Sequence, residues 1–171
     1  TGKSRDELQA VMAAVRANVA QLERKTGRRF GGEDRPLLVS VRSGSAMSMP
    51  GMMDTILNLG LNAATLQGLA TQTGNPRFAW DAYRRFVQLF GKIAMGIPDE
   101  AFDDAMAEVK RKHGAVHDVE LGAGALEELA QAFLAVYRDH TGQPLPADPH
   151  EQLERAIEAV SRPWNGKRAV D

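Results

Sequence analysis

Apolar residues recur every three or four positions along most of this chain, which is the spacing of one face of an α-helix. In the first segment, Ser4 and Glu7 have the spacing of a capping box, and Gly27 is a natural helix stop. The apolar face between them is Leu8, Val11, Met12, Val15, Val19 and Leu22. This pattern predicts a first helix that runs from Ser4 to about Gly27.

Two short segments interrupt the helical spacing. Residues 37–41 (LLVSV) are apolar and β-branched, and they follow a turn-like run over residues 28–36. Residues 55–61 (TILNLGL) alternate between two faces, as a half-buried strand does. We predict two strands joined by a loop over residues 42–54. Two strands do not make an independent sheet, so we expect either further strands from sequence outside this chain or another cover for the sheet edge.

The pattern becomes helical again after Leu61. Asn62, Asn75 and Asp148 are the expected N-caps of three of the helices. The predicted helices cover residues 63–73, 76–94, 99–113, 123–141 and 149 to about 162. The fold class that follows is mainly α (α+β), with a small partial sheet attached to a helical body.

The amino-acid composition excludes several classes of partner and of functional site. The 21 Lys and Arg nearly balance the 22 Asp and Glu, so no global field attracts nucleic acid or an anionic membrane. Cysteine is absent, which excludes disulfides, thiol catalysis and cysteine-ligated metals, and permits a reducing compartment. No apolar run reaches the length of about 18 residues that a membrane span needs. We therefore expect neither a nucleic-acid partner nor a membrane.

The loop over residues 42–54 is the best candidate for a functional site. Arg42 ends a strand, and Ser43-Gly44-Ser45 follow it, small residues whose backbone N–H groups can surround an anion. The guanidinium fork matches phosphate oxygens, whereas the alternative is a polar turn with a solvated arginine. Four further loop residues are methionines, namely Met47, Met49, Met52 and Met53. They either pack the loop onto the core or contact a flat ligand or a partner.

A second candidate is the pair Arg84 and Arg85, beside an aromatic stripe on the predicted helix over residues 76–94. Adjacent helical residues are about 100° apart, so both arginines can lie toward the polar side. They are then either solvated or salt-bridged, or they contact phosphate.

Two other motifs predict no site. Residues 1–4 (TGKS) resemble the end of a P-loop, but the first glycine of that motif and the strand before it are missing. His113 and His117 are four residues apart, but Gly114 breaks the helix that would align them, so no metal site is predicted.

Three blocks of the sequence resemble the N-terminal nucleotide-binding part of the pyruvate phosphate dikinases. They are LLVSVRSGSAMSMPGMMDTILNLGLN (37–62), GNPRFAWDAYRRFVQLFG (74–91) and LPADPHEQLERAIEAVSRPWNGKRA (145–169). The blocks occur in the order and spacing of that family and cover most of the chain. Phosphoenolpyruvate synthases and starch-phosphorylating dikinases are less similar, since the synthases lack the SMPGMMDT continuation.

The resemblance implies a fold and a set of site residues. It implies a partial, ATP-grasp-like nucleotide-binding subdomain over residues 1–61, an inserted helical subdomain over 62–147, and a helix within 148–171 that returns to the first subdomain. Arg42 matches the phosphate-contacting, catalytic arginine of the VRSG motif. Other matching positions bind the nucleotide: Gly51 and Met53 of the MPGMM loop, and Arg85, the second arginine of AYRRF.

The resemblance also implies an activity. The full enzyme of the family converts ATP, phosphate and pyruvate into AMP, pyrophosphate and phosphoenolpyruvate, with Mg²⁺ and a phosphohistidine. Its partners are the nucleotide and its own phosphohistidine and pyruvate/phosphoenolpyruvate barrel domains, in a cytoplasmic homodimer. No Mg²⁺ ligand matches within this chain. We expect the chain to be a fragment with no turnover alone.

A different class of function stays open at this point. The alternative is a non-catalytic helical module that binds a partner protein. It predicts that nucleotide has no effect and that association depends on Met49, Met52 or Phe86.

Overall fold

The computed structural model describes residues 5–42 and 55–161 as a mainly helical fold, as predicted. Six α-helices are present among them, and a π-helical turn (Phe90–Ala94) and a 3₁₀ turn (Asp118–Glu120) interrupt their connections. The helices are α1 (Arg5–Thr26), α2 (Ala63–Thr73), α3 (Pro76–Leu89), α4 (Asp99–His113), α5 (Ala123–Thr141) and α6 (Pro149–Ser161). The strands are β1 (Arg29–Phe30), β2 (Pro36–Leu37), β3 (Val39–Arg42) and β4 (Thr55–Leu59).

The two predicted strands pair with each other, as β3 and β4. They are antiparallel, and Arg42 lies opposite Thr55. The register shifts between Val39 and Val41, and Asn58 on the partner strand has a φ of 65°. Asn is one of the few side chains that tolerate this left-handed conformation. The bulge therefore has a local cause in the sequence.

The prediction was wrong for residues 28–41. It placed one strand over 37–41 after a turn, but the structure has two separate strands there, and β2 pairs in parallel with β1 in a second small sheet. Phe30 and Leu37 are buried, and the Phe30 N–H donates to the Glu23 carboxylate at 2.9 Å. Packing between distant elements forms these short strands, which is why local periodicity does not reveal them.

Most of the helix ends predicted after Leu61 are confirmed. The Asn62 side chain accepts hydrogen bonds from the backbone at the start of α2, and Gly74 ends that helix with a φ of 65°. The predicted helix over 76–94 instead changes from α to π at Phe90. A Cβ at Gly91 in this turn would lie 2.9 Å from the ring of Phe102. The turn thus needs glycine for close packing.

The core lies mainly between α3 and α5, and α2, α4 and α6 cover it. Its aromatic centre contains three ring pairs with centroid distances of 5.1–6.1 Å, namely Phe86–Phe90, Phe90–Tyr137 and Phe102–Phe133. Met12 and Val19 of α1 and Ile56 and Leu59 of β4 extend the same core. One continuous core therefore joins the strands to the helices.

Helix α6 contacts β3, β4 and the π-helical turn. Its buried Gln152 accepts a hydrogen bond from the Gly60 N–H at 2.9 Å. The same side chain donates to the carbonyls of Leu61 at 3.0 Å and Pro146 at 2.8 Å. This contact connects the end of β4 to the segment before α6. The division into three subdomains stays a prediction.

Within these described ranges, no helix is both long and apolar enough to cross a membrane.

Candidate functional site

Arg42 is the last residue of β3, opposite the first residue of β4, so the two strand ends flank the predicted functional loop. Its side chain is exposed, and it forms no hydrogen bond or ion pair with the rest of the described chain. Gly51 and Met53 lie outside the described residues. The same is true of the other loop methionines and of the P-loop-like start at residues 1–4.

Arg85 lies on α3 with 55% of its side chain exposed. Its Nε is 3.1 Å from Oδ2 of Asp81, one helical turn earlier. No other hydrogen bond or ion pair of Arg85 occurs among the residues that the structure describes. Its terminal nitrogens are therefore available to an anionic ligand.

Arg84 differs sharply from its neighbour. The expectation that both arginines lie toward the polar side was wrong, because Arg84 is buried. Its Nε and Nη2 are each 2.8 Å from Oδ1 of Asp81, and Nη2 is 3.6 Å from Oδ2 of Asp118. The rotation of about 100° per residue turns Arg84 beneath the connection between α4 and α5, which covers it. Of the alternatives for Arg84, namely a solvated, a salt-bridged or a phosphate-contacting side chain, the structure therefore shows the salt-bridged one.

Asp118 fixes that connection to α3 and α4. Lys110 donates to its carboxylate, and the hydrogen bond is the main cause that lowers the pKa of Asp118 below its usual range. The positive charges of Lys110, Arg84 and Arg85 lower this pKa further. Arg77 donates to the backbone carbonyls of Leu121 at 2.7 Å and Asp118 at 3.2 Å. Sequence reasoning missed this network, since Asp118 lies far from its partners along the chain.

Helix α3 packs against β4, so the elements that carry Arg42 and Arg85 belong to one packed unit. Asn58 of β4 donates through Nδ2 to the carbonyl of Ala82 at 3.2 Å. Ala82 lies one turn before Arg85 on α3, while β4 begins opposite Arg42. Strand β4 thus lies between the two elements that carry Arg42 and Arg85, and packs with both of them.

The donor groups at these positions are cationic, so they fit phosphate oxygens and do not fit a metal ion. Across residues 5–42 and 55–161, no group of three or more His, Asp or Glu side chains could hold a metal. His113 instead lies with its Nε2 3.0 Å from Oε1 of Glu128. The cationic groups at these positions therefore suit an anionic ligand.

Curated proteins named pyruvate, phosphate dikinase align with almost the whole chain. The protein of Entamoeba histolytica is 56% identical over 163 residues, which are 95% of this chain. Those of Giardia intestinalis and Clostridium symbiosum are 52% and 47% identical over 91% and 89% of the chain. The chain belongs to the pyruvate phosphate dikinase family. The resemblance stated from the sequence blocks is confirmed.

The chain spans 18% of the length of each of these three pyruvate phosphate dikinases. At most eight residues at the ends of this chain lie outside its alignment with the Entamoeba protein. The alignment therefore includes Arg42 and Arg85. No protein-family model matches the chain.

Proposed function

We propose that this chain forms one wall of the ATP site of a pyruvate phosphate dikinase. In this proposal Arg42 and Arg85 contact the phosphates, and Gly51 and Met53 lie along the nucleotide. The observation that supports this proposal most directly concerns Arg42. This residue ends a strand, its side chain is exposed, and it has no hydrogen-bond or ion-pair partner in the described part of the chain. Its strand, β3, pairs with β4, and β4 packs against the helix that bears Arg85.

The physical reason for two arginines is the charge of the transferring phosphoryl group. Such transfer needs little covalent chemistry from the protein, but it needs fixed positive charge around the phosphate oxygens. Arg42 has the catalytic role, because it supplies that charge beside the loop. Mg²⁺, bound with the nucleotide, would neutralise further phosphate charge. The ATP-grasp-like character of the strand-bearing part belongs to the same proposal.

The activity of the whole protein is also a proposal. The reaction would convert ATP, phosphate and pyruvate into AMP, pyrophosphate and phosphoenolpyruvate, with phosphoryl transfer to a phosphohistidine. The phosphohistidine and the pyruvate/phosphoenolpyruvate barrel would be supplied by other domains of the same polypeptide, in a cytoplasmic homodimer. This chain alone would not turn over, because it would supply only part of the nucleotide site.

The test is a titration of the chain with Mg-ATP and Mg-ADP, followed by two-dimensional amide NMR. We expect shifts confined to residues 42–55 and to α3 around Arg85, and we expect Arg42→Ala to weaken them. The matched control is Arg24→Ala, which removes an exposed arginine from α1 and should leave the titration unchanged. A well-dispersed spectrum that shows no response to either nucleotide would contradict the proposal.

One observation favours the interaction module as a second candidate. Val116 and Val119, between α4 and α5, are 72% and 80% exposed. Phe86, in contrast, is fully buried and cannot be the contact that the sequence predicted for such a module. If nucleotide has no effect while Val116→Asp abolishes self-association or partner binding, this candidate replaces the first.

A further inference from the structure

The Asp81 carboxylate holds two arginines at once, through different oxygens. Oδ1 accepts a hydrogen bond from Nε of Arg84 at 2.8 Å, and Nη2 of Arg84 forms an ion pair with the same oxygen at 2.8 Å. Oδ2 is 3.1 Å from Nε of Arg85. The two cations are consecutive in sequence, yet Arg84 is buried and Arg85 is mostly exposed. One acidic side chain therefore connects a structural arginine to the one proposed to contact phosphate.

The atom that Asp81 contacts on Arg85 decides what the guanidinium can still do. A guanidinium has five N–H donors, and four of them are on the two terminal nitrogens. Because the ion pair uses Nε, it leaves that terminal pair free for a bidentate contact with phosphate. The same ion pair restricts an otherwise flexible side chain before any ligand arrives, which reduces the entropy lost on binding.

Arg84 keeps Asp81 in place in turn. It is buried, it contacts Asp81 through two nitrogens, and it also faces Asp118 from the connection between α4 and α5. The nearby charge remains net positive, because four cations, Arg77, Arg84, Arg85 and Lys110, outnumber the three carboxylates of Asp81, Asp118 and Glu120. Asp81 can therefore orient Arg85 without cancelling the attraction for a polyphosphate.

We propose that Asp81 is a positioning residue, which holds Arg85 through Nε so that its terminal nitrogens face the phosphates of the nucleotide. This inference rests on the proposed function of Arg85. It assigns a task to a carboxylate that lies in a phosphate-binding region and carries the same sign of charge as the ligand.

The test is a double-mutant cycle on the affinity of the chain for Mg-ATP, measured from the amide titration. We expect Asp81→Asn to weaken binding about tenfold, the size of one charge-assisted hydrogen bond. In an Arg85→Ala background the same substitution should change the affinity less than about twofold, because Asp81 acts through Arg85. The matched control is Glu151→Gln on α6. It removes another acid–arginine pair with i,i+4 spacing, in which Nε of Arg155 also contacts the carboxylate.

A second measurement does not depend on nucleotide. The Nε–H signal of Arg85 should broaden or shift in Asp81→Asn. The signal of Arg84, which also contacts Asp81, should change with it, while the signals of the other arginines stay in place. If Asp81→Asn does not fold, Asp81→Glu retains the counter-charge for Arg84 but displaces the carboxylate. It should weaken binding in the same direction.

The outcomes separate this inference from the proposed function. If Arg85→Ala weakens Mg-ATP binding but Asp81→Asn does not, the positioning role is wrong and the ATP site stands. The positioning role is also wrong if Asp81→Asn costs the same affinity with or without Arg85, or if the Arg85 Nε–H signal does not change. If neither Arg42→Ala nor Arg85→Ala affects binding, the proposed function fails, and the role of Asp81 fails with it.

Discussion

The helices of the helical part (residues 62–147) and helix α1 of the strand part (residues 5–42 and 55–61) bury their predicted apolar faces to different extents. In the helical part, Phe86, Phe90 and Phe133 are fully buried between facing helices. In the strand part, α1 keeps 45% of Val11 and 42% of Leu22 exposed, although both lie on its predicted apolar face. The four strands form two separate two-stranded sheets. The helical part thus contains most of its own partners.

The difference also separates the two candidate arginines. Arg85 stands on a helix of the well-packed part and has an ion pair that restrains it. Arg42 ends a short strand and has no partner elsewhere in the described chain. One candidate cation is therefore restrained by an ion pair on a packed helix, whereas the other has no partner in the described chain. This arrangement suits a site in which one wall is fixed and the other adapts to its ligand.

The largest expected effect tests whether stability resides in the helical part. Phe133→Ala removes a buried ring that contacts Phe102, and we expect it to lower the free energy of unfolding by about 3–5 kcal/mol. Leu22→Ala on α1 should cost less than about 1 kcal/mol, because much of that side chain is already in water. Urea unfolding of both variants measures the difference. Similar losses would contradict the comparison.

An intermediate effect is expected at the polar contact between the two parts. Gln152→Ala would leave the Gly60 N–H and the Leu61 and Pro146 carbonyls without their partner, in a largely buried place. We expect a loss of about 2–3 kcal/mol, because unsatisfied buried polar groups lose their solvation without compensation. Gln67→Ala, an exposed position on α2, is the control and should change stability by less than about 0.5 kcal/mol. Equal effects would mean that the contact does not join the two parts.

The helices could be predicted because their signals are local. Asn62 and Asn75 cap as expected, Gly74 adopts the left-handed conformation, and the apolar spacing identifies the buried faces. The short sheet of β1 and β2 was missed because packing against distant elements creates it. The π-helical turn was missed for a similar reason, since Gly91 approaches a ring eleven residues further along the chain.

The candidate site was predictable to a similar degree. Asp81 lies four residues before Arg85, so this ion pair follows from helical spacing alone. The burial of Arg84 does not, because Asp118 reaches it from a connection 34 residues away. The roles of Arg42 and Arg85 stay predictions. The roles of Gly51 and Met53 are also predictions still, and both residues lie outside the described part of the chain.

The smallest expected effect concerns Asp118, the charged link within the helical part. Its folded-state pKa is lowered, so the ionised carboxylate favours the folded state above about pH 4, and this contribution is lost as the pH falls through the lowered pKa. Lys110→Met should raise the pKa of Asp118 toward its ordinary value, because it removes the largest cause of the shift. Because Asp118 is half exposed, the stability change should stay below about 1 kcal/mol.

Carboxylate-detected NMR titration measures the pKa of Asp118. The control is Lys92→Met, which removes the separate ion pair between Lys92 and Asp99. An unchanged pKa in Lys110→Met would mean that this charged link adds nothing to the apolar packing of the helices.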